Sequence, residues 1–170
     1  RRHIVETPSP QLLQPLIGTE EVTVDAKGRV LVSKKKRDRL GNPFAIGVGV
    51  KGCIVAYTSE AWAKLNAQLN SGDALDIGSD TLRELMVGEA EDGIEFDSQG
   101  RFVVPMRLRT KFKLVGAPCL LIGAQDKVEL WTVAEYEIYE ADRRAYTDRH
   151  WQEISDNKFR VSDNVLRGLP

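Results

Sequence analysis

The sequence predicts an α+β fold in which one small antiparallel module is written twice. Three observations carry this expectation. The stretch Asp25-Ala-Lys-Gly28-Arg29-Val-Leu-Val-Ser33-Lys-Lys-Lys-Arg37 returns as Asp97-Ser-Gln-Gly100-Arg101-Phe-Val-Val-Pro105-Met-Arg-Leu-Arg109 at a constant offset of 72. Further on, Ile54-Val55-Ala56-Tyr57-Thr58 is answered by Val128-Glu129-Leu130-Trp131-Thr132 at an offset of 74, so the second copy holds about two extra residues in between. Self-similarity at a fixed period marks a duplicated structural unit. Within each copy, short alternating apolar runs separated by glycine-bearing turns read as half-buried strands, and no strand–helix–strand crossover spacing is present.

Taken in order, residues 1–15 carry Pro8, Pro10 and Pro15 without any period, which predicts an extended N-terminal arm. The first module spans 16–69. In it Glu21-Val22-Thr23-Val24 alternates as a strand, Asp25 to Gly28 makes a turn, and Arg29-Val30-Leu31-Val32 returns. Gly28 stands where a tight reversal commonly needs a positive φ, which glycine adopts at least cost. Ser33 is placed to cap a short helix over 34–40, closed by Gly41-Asn42-Pro43. Strands over 44–50 and 53–57 follow. Thr58-Ser59-Glu60 then opens a helix showing Trp62, Leu65 and Leu69 on one face.

Residues 70–89 read as a linker and helix, with Gly, Ser and Asp dominating 70–79 and Asp80 as the expected cap for Leu82, Leu85 and Met86. The second module, with a closing C-terminal helix, spans 90–154. Asp97 to Gly100 repeats the turn, and Pro105 replaces Ser33 in the first turn of a short helix, where its missing N–H costs nothing. Strands over 119–123 and 128–131 lead into a helix from Val133 to about Trp151. Residues 155–170 form a polar tail expected to be loosely held.

The net charge of −1 hides a segregation. Residues 25–39 carry seven Lys or Arg against two Asp, and residues 97–113 carry five against one, so the remaining sequence is strongly acidic. Positive charge is gathered at the repeated motif, which makes a local anion site without a basic protein. No apolar run approaches the roughly 20 residues of a membrane helix, so a cytoplasmic protein is expected. Cys53 and Cys119 lie in apolar strand-like runs without the spacing of a zinc site and read as buried reduced thiols. His3 and His150 are far apart in sequence and give no metal site. Neither a nucleophile with its base nor paired catalytic carboxylates stand out, so no catalytic residue, enzyme activity or cofactor is expected. Trp62, Trp131 and Tyr136 occupy amphipathic positions and read as packing residues. Glu89, Glu91, Asp92 and Glu95 read as a solvated linker.

Asp25 and Asp97, four residues before Arg29 and Arg101, are placed to accept backbone or arginine hydrogen bonds and so, with Gly28 and Gly100, to form the turns. Two basic tips at equivalent places in one chain point to DNA, since β-ribbons enter its grooves.

The pattern Asp-x-x-Gly-Arg, three apolar residues, a helix starter and then Arg resembles the SpoVT/AbrB family of DNA-binding swapped-hairpin β-modules. The likeness covers roughly residues 16–150, including Gly88-Glu89-Ala90, Gly52-Cys53-Ile54-Val55 and Glu129-Leu130-Trp131. Ser33 stands where the family usually has Pro, and Gln99 where it often has Lys. The resemblance implies tandem double-split β-barrel modules packed as an intramolecular pseudo-dimer and assembled into a homo-oligomeric ring. It also implies a nucleoid-associated transcriptional regulator whose partner is double-stranded DNA, at repeated promoter elements of a cell-division and cell-wall gene cluster. The DNA-contacting residues it implies are Lys27, Arg29, Lys34, Lys36 and Arg37 in the first copy and Arg101, Arg107 and Arg109 in the second. The alternative is an oligomeric interaction or scaffold protein of the same fold that has lost DNA recognition.

Overall fold

The structure is a computed structural model that describes residues 14–71 and 76–167. The first repeat contributes β1 (Thr19–Thr23), β2 (Arg29–Leu31), α1 (Lys34–Leu40), β3 (Phe44–Val48), β4 (Ile54–Tyr57) and α2 (Ser59–Asn70), followed by α3 (Ile77–Val87). The second contributes β5 (Glu91–Ile94), β6 (Arg101–Val103), α4 (Met106–Lys111), β7 (Pro118–Gly123), β8 (Lys127–Thr132) and α5 (Val133–Arg167). The fold is thus α+β, with five helical elements among the described residues and every named strand pair antiparallel.

The predicted turns form, and β3·β4 and β7·β8 pair within their own repeats, but the other four ladders run between the repeats. β1 pairs with β7 from Thr19–Ile122 to Thr23–Pro118, while β5 of the second repeat pairs with β3 of the first. β4 and β8 join at the centre, which completes a six-stranded sheet in the order β1-β7-β8-β4-β3-β5. β2 and β6 make a separate two-stranded ribbon. Between β1 and β2 only the Val24–Val30 bridge remains of a local hairpin. Sequence alternation shows which residues face inward but not whose backbone receives them, which is why the partner was not readable from periodicity.

The inward sets from both repeats fill one core. Val24, Val30 and Val32 belong to one buried cluster with Phe102, Val104 and Leu108, all at most 3% exposed, and Leu40 and Leu114 are part of it. Phe44 of the first repeat packs at 5.0 Å from Phe96 and edge-on at 5.3 Å from Phe102, both of the second. Such tilted and T-shaped contacts place ring edges against ring faces. Cys53 and Cys119 are free and buried, and burial raises both thiols, Cys53 to about 12. Trp131 is buried and donates to Glu129 (3.1 Å), and Trp62 lies 5.6 Å from Tyr57.

Ser33 caps α1 as expected, accepting from the Lys36 N–H. Three expectations are corrected. Pro105 is the residue preceding α4, not part of its first turn. Asp76, not Asp80, caps α3, because its carboxylate accepts from both Gly78 and Ser79 while Asp80 already lies in the first turn. The closing helix ends near Trp151 as expected, where His150 (φ −115°, ψ 16°) leaves helical geometry and stacks its ring on Tyr146 at 4.5 Å, but a second helix then continues to Arg167 through what was read as a loosely held tail. Among the described residues, those up to Thr132 form one compact unit and those from Val133 another. Most of the expected N-terminal arm, residues 1–13, lies outside the described residues, as do 72–75 of the linker and 168–170 of the tail.

Because Phe44 joins the first repeat to the aromatic pair of the second, Phe44→Ala is expected to cost about 3–5 kcal/mol, the range for deleting a buried phenyl ring. Urea unfolding should show the loss as a lower midpoint with one cooperative transition.

Candidate nucleic-acid interface

The two Asp-x-x-Gly-Arg turns have the same geometry bond for bond. Asp25 Oδ1 accepts from the N–H groups of Lys27 (3.0 Å) and Arg29 (2.9 Å), and Asp97 Oδ1 accepts from Gln99 and Arg101 (both 2.9 Å). Each second carboxylate oxygen takes the guanidinium Nε, at 2.6 Å in Arg29 and 2.8 Å in Arg101, whose Nη2 also lies 2.8 Å from it. Gly28 (φ 81°) and Gly100 (φ 80°) close the turns by donating to the carbonyls of Asp25 (2.8 Å) and Asp97 (3.0 Å). Both carboxyls are held below the ordinary aspartate range, first by the backbone N–H of the arginine and then by its side chain. Each aspartate therefore organises a turn and orients one arginine, tying its inner edge.

Beyond the turns, β2 and β6 bring both arginines to one ribbon. Val30 and Phe102 point into the core, so Arg29, Leu31, Arg101 and Val103 share the opposite face by the period of two. The register sets Arg29 opposite Val103 and Leu31 opposite Arg101. Leu31 is 60% and Val103 50% exposed, and neither was singled out as a site residue from the sequence. The missed signal was the pattern Arg-apolar-apolar itself, in which the second apolar residue must point the same way as the arginine.

Other sequence-predicted residues divide. Lys27 stands exposed on its turn, and Lys34 is exposed and paired with Asp38. Arg107 is also exposed but reaches Glu89 at 2.9 Å, and Lys111 reaches the same carboxylate at 3.3 Å. Glu89 is accordingly an ion-pair acceptor for α4 and not a solvated linker residue. Lys36 is 4% exposed, with its ammonium on Glu20 (2.9 Å) and the Ile17 carbonyl (3.2 Å). Serving as a partner of Glu20, it is committed to the fold.

Arg37 and Arg109 are half-buried and cross between repeats. Arg37 donates Nε to the Val32 carbonyl (3.0 Å) and lies over Gly100, while Arg109 lies over Gly28. Each tip glycine is thus roofed by the arginine of the other repeat. The same reciprocity appears in the backbone, where Val32 N–H donates to Gly100 O (3.1 Å) and Val104 N–H to Gly28 O (2.8 Å).

A Cβ at Gly28 would overlap the Arg109 guanidinium and sit on a left-handed φ. Gly28→Ala and Gly100→Ala are each expected to cost on the order of 2 kcal/mol, read from chemical unfolding. Since the Asp25 and Asp97 carboxyls are lowered, their stabilisation is complete above the unfolded aspartate value of about 3.9 and is lost as pH falls through the lower folded value. Unfolding midpoints between pH 5 and pH 2 should fall more steeply for the wild type than for the double variant Asp25→Asn/Asp97→Asn.

Among the described residues, no group of three or more His, Cys, Asp or Glu side chains is placed to hold a metal ion, and no helix is long and apolar enough to cross a membrane. A family model described as "MraZ protein, putative antitoxin-like" matches the chain twice, over residues 16–82 and 86–159. The chain is 34% identical over 131 residues to the transcriptional regulator MraZ of Lactiplantibacillus plantarum, covering 77% of this chain and 92% of that protein. It is 35% identical over 126 residues to the protein of the same name from Acetivibrio thermocellus (74% and 86% covered), and 30% identical over 142 residues to that of a Thermoanaerobacter species (84% and 95%). These relatives are named as regulators and not as enzymes. The two matched segments contain both turns, and on that evidence the chain belongs to the MraZ family.

Proposed function

We propose that this protein is a transcriptional regulator that binds double-stranded DNA sequence-specifically, at repeated promoter elements of a cell-division and cell-wall gene cluster. The observation that carries the reading is the twofold occurrence of one aspartate-clamped arginine, with both copies delivered to a single two-stranded ribbon. A ribbon of this kind fits the major groove, where an arginine with a free outer edge reads guanine O6 and N7. Arg29 and Arg101 are the base-reading residues. Lys27 and Lys34, with the neighbouring Lys35, neutralise phosphate, and Arg107 joins them by exchanging Glu89 for a phosphate. Arg37 and Arg109 hold the tips in register, and Lys36 supports the first turn through Glu20.

The exchanged pairings β1·β7 and β3·β5, arranged about β4·β8, support a double-split β-barrel pseudo-dimer built from modules 16–69 and 90–154. The six-stranded sheet ends in two exposed edge strands, and Ile77, Leu82, Leu85 and Val87 on α3 are exposed to 39% or more. Unpaired edges with apolar neighbours favour association. They support a closed homo-oligomeric ring, in which neighbouring chains repeat the ribbon along DNA with repeated half-sites. The working location is the cytoplasm, on the nucleoid. A second reading, an interaction protein without DNA recognition, draws on the antitoxin-like description of the family.

The separating experiment is a salt series on promoter-repeat and random duplexes. With six to ten phosphates neutralised, affinity should fall by about 10³ to 10⁵ between roughly 50 and 200 mM salt. Arg29→Ala and Arg101→Ala should each lose about 1–3 kcal/mol on the specific duplex and blunt its preference over random DNA, whereas Lys35→Ala should weaken both alike. Arginine variants that bind the promoter duplex as the wild type does, with unchanged slope, would make the tips structural turns only, and a wild type that shows no salt-dependent preference for the promoter duplex over random DNA would establish the interaction-protein reading. Sedimentation should give a species larger than a dimer, and a 19.0 kDa monomer at micromolar concentration would remove the ring.

A further inference from the structure

Two apolar side chains on the ribbon lie outside the buried core. Leu31 and Val103 are 60% and 50% exposed, although their strand neighbours Val30 and Phe102 are 0% and 3% exposed. The buried neighbours prevent the ribbon from rolling, so the two apolar groups are held outward. Each sits directly across the ladder from one of the clamped arginines, Val103 from Arg29 and Leu31 from Arg101. The same arrangement in both repeats makes the outer face alternate cation and hydrocarbon along both strands.

From this juxtaposition we infer that Leu31 and Val103 are specificity-determining residues that take the C5-methyl groups of thymines in the major groove. The inference rests on the DNA-binding reading and extends it from arginine contacts to apolar ones. Among base edges the thymine methyl is the one apolar group, and it is displayed only in the major groove. An apolar side chain facing any other base edge would gain little and would strip water from its donors and acceptors. The ribbon would therefore select sites in which a thymine lies beside each arginine-read base pair. Polar side chains at 31 and 103 would serve phosphate binding equally well, since backbone contacts carry no sequence information.

The test uses the full-length protein and a duplex selected by it from a random pool, so that no operator is assumed. Replacing every thymine of that duplex by deoxyuridine removes the methyl groups and keeps every base hydrogen bond. Wild-type protein should lose about fourfold in affinity for each methyl it contacts, the scale of moving one CH₂ out of water. The double variant Leu31→Ala/Val103→Ala should bind the thymine duplex more weakly by a similar factor and should no longer distinguish it from the deoxyuridine duplex. Equal wild-type affinity for the two duplexes overturns the inference. So does a double variant that still discriminates between them, because the methyls then act through duplex shape instead. A DNA-free double variant that sediments as a smaller species while discrimination persists would assign the two residues to a contact between chains, also against the inference. If no duplex is enriched from the pool, the DNA-binding reading itself fails and this inference falls with it. Because the wild-type comparison needs no substitution, the outcome does not depend on the folding of a variant.

Discussion

Neither repeat can complete its own sheet, and most of the structure follows from that constraint. The backbone groups of β1 find their partners on β7, those of β5 on β3, and those of β2 on β6. A buried backbone polar group left without a partner costs as much as a lost hydrogen bond, so the ordered fold of one repeat presupposes the other. The aromatic cluster and the valine layer are shared for the same reason: strands that exchange partners carry their inward faces across with them. Duplication in one chain makes this mutual dependence local, because the partner is always present at the concentration set by the linker.

The tips are the points at which the exchange between repeats meets the clamped arginines. Gly28 and Gly100 permit the reversal, and having no Cβ they also admit an arginine from the opposite repeat. The residue that closes each turn thus records the position of the other turn. Arg29 and Arg101 are tied at one edge by Asp25 and Asp97, which lowers the rotamer entropy each would lose on meeting a ligand. A pair of arginines on flexible tips would bind phosphate, but reading a base edge needs the planar fork held in a fixed direction. The clamp ties one edge of each guanidinium to its aspartate.

Basic residues within one motif consequently separate into different duties. Lys34 and Lys35 look outward from α1, while Lys36, one position on, turns under the helix to Glu20. On a helix adjacent residues are about 100° apart, so a run of four cations cannot lie on one face. Glu20 is itself lowered despite the opposing effect of burial, through its hydrogen bonds with Ser33 and Lys36 and the ammonium charge. Ser33 acts on both sides of this arrangement, capping α1 and donating to Glu20 at 2.6 Å. A proline at that place, as in the second repeat, supplies neither bond.

The sequence by itself determined the duplication, the α+β class, the turns at Asp25–Gly28 and Asp97–Gly100 and the helix cap at Ser33. These are local matters, set by φ preference, short-range hydrogen bonds and the apolar period, all of which act within a few residues. Asp76 instead of Asp80 as the α3 cap was within reach of the same reasoning, since both carboxylates precede apolar helical residues and only the choice of first turn differs. Tertiary structure alone decided that β1, β2 and β5 pair with strands of the other repeat, because alternation leaves the partner's identity free. It alone showed that Lys36 and Arg37 face inward or across to the other repeat while Leu31 and Val103 face out beside the clamped arginines. Burial is a property of the assembled layers, and no local preference of lysine or leucine encodes it.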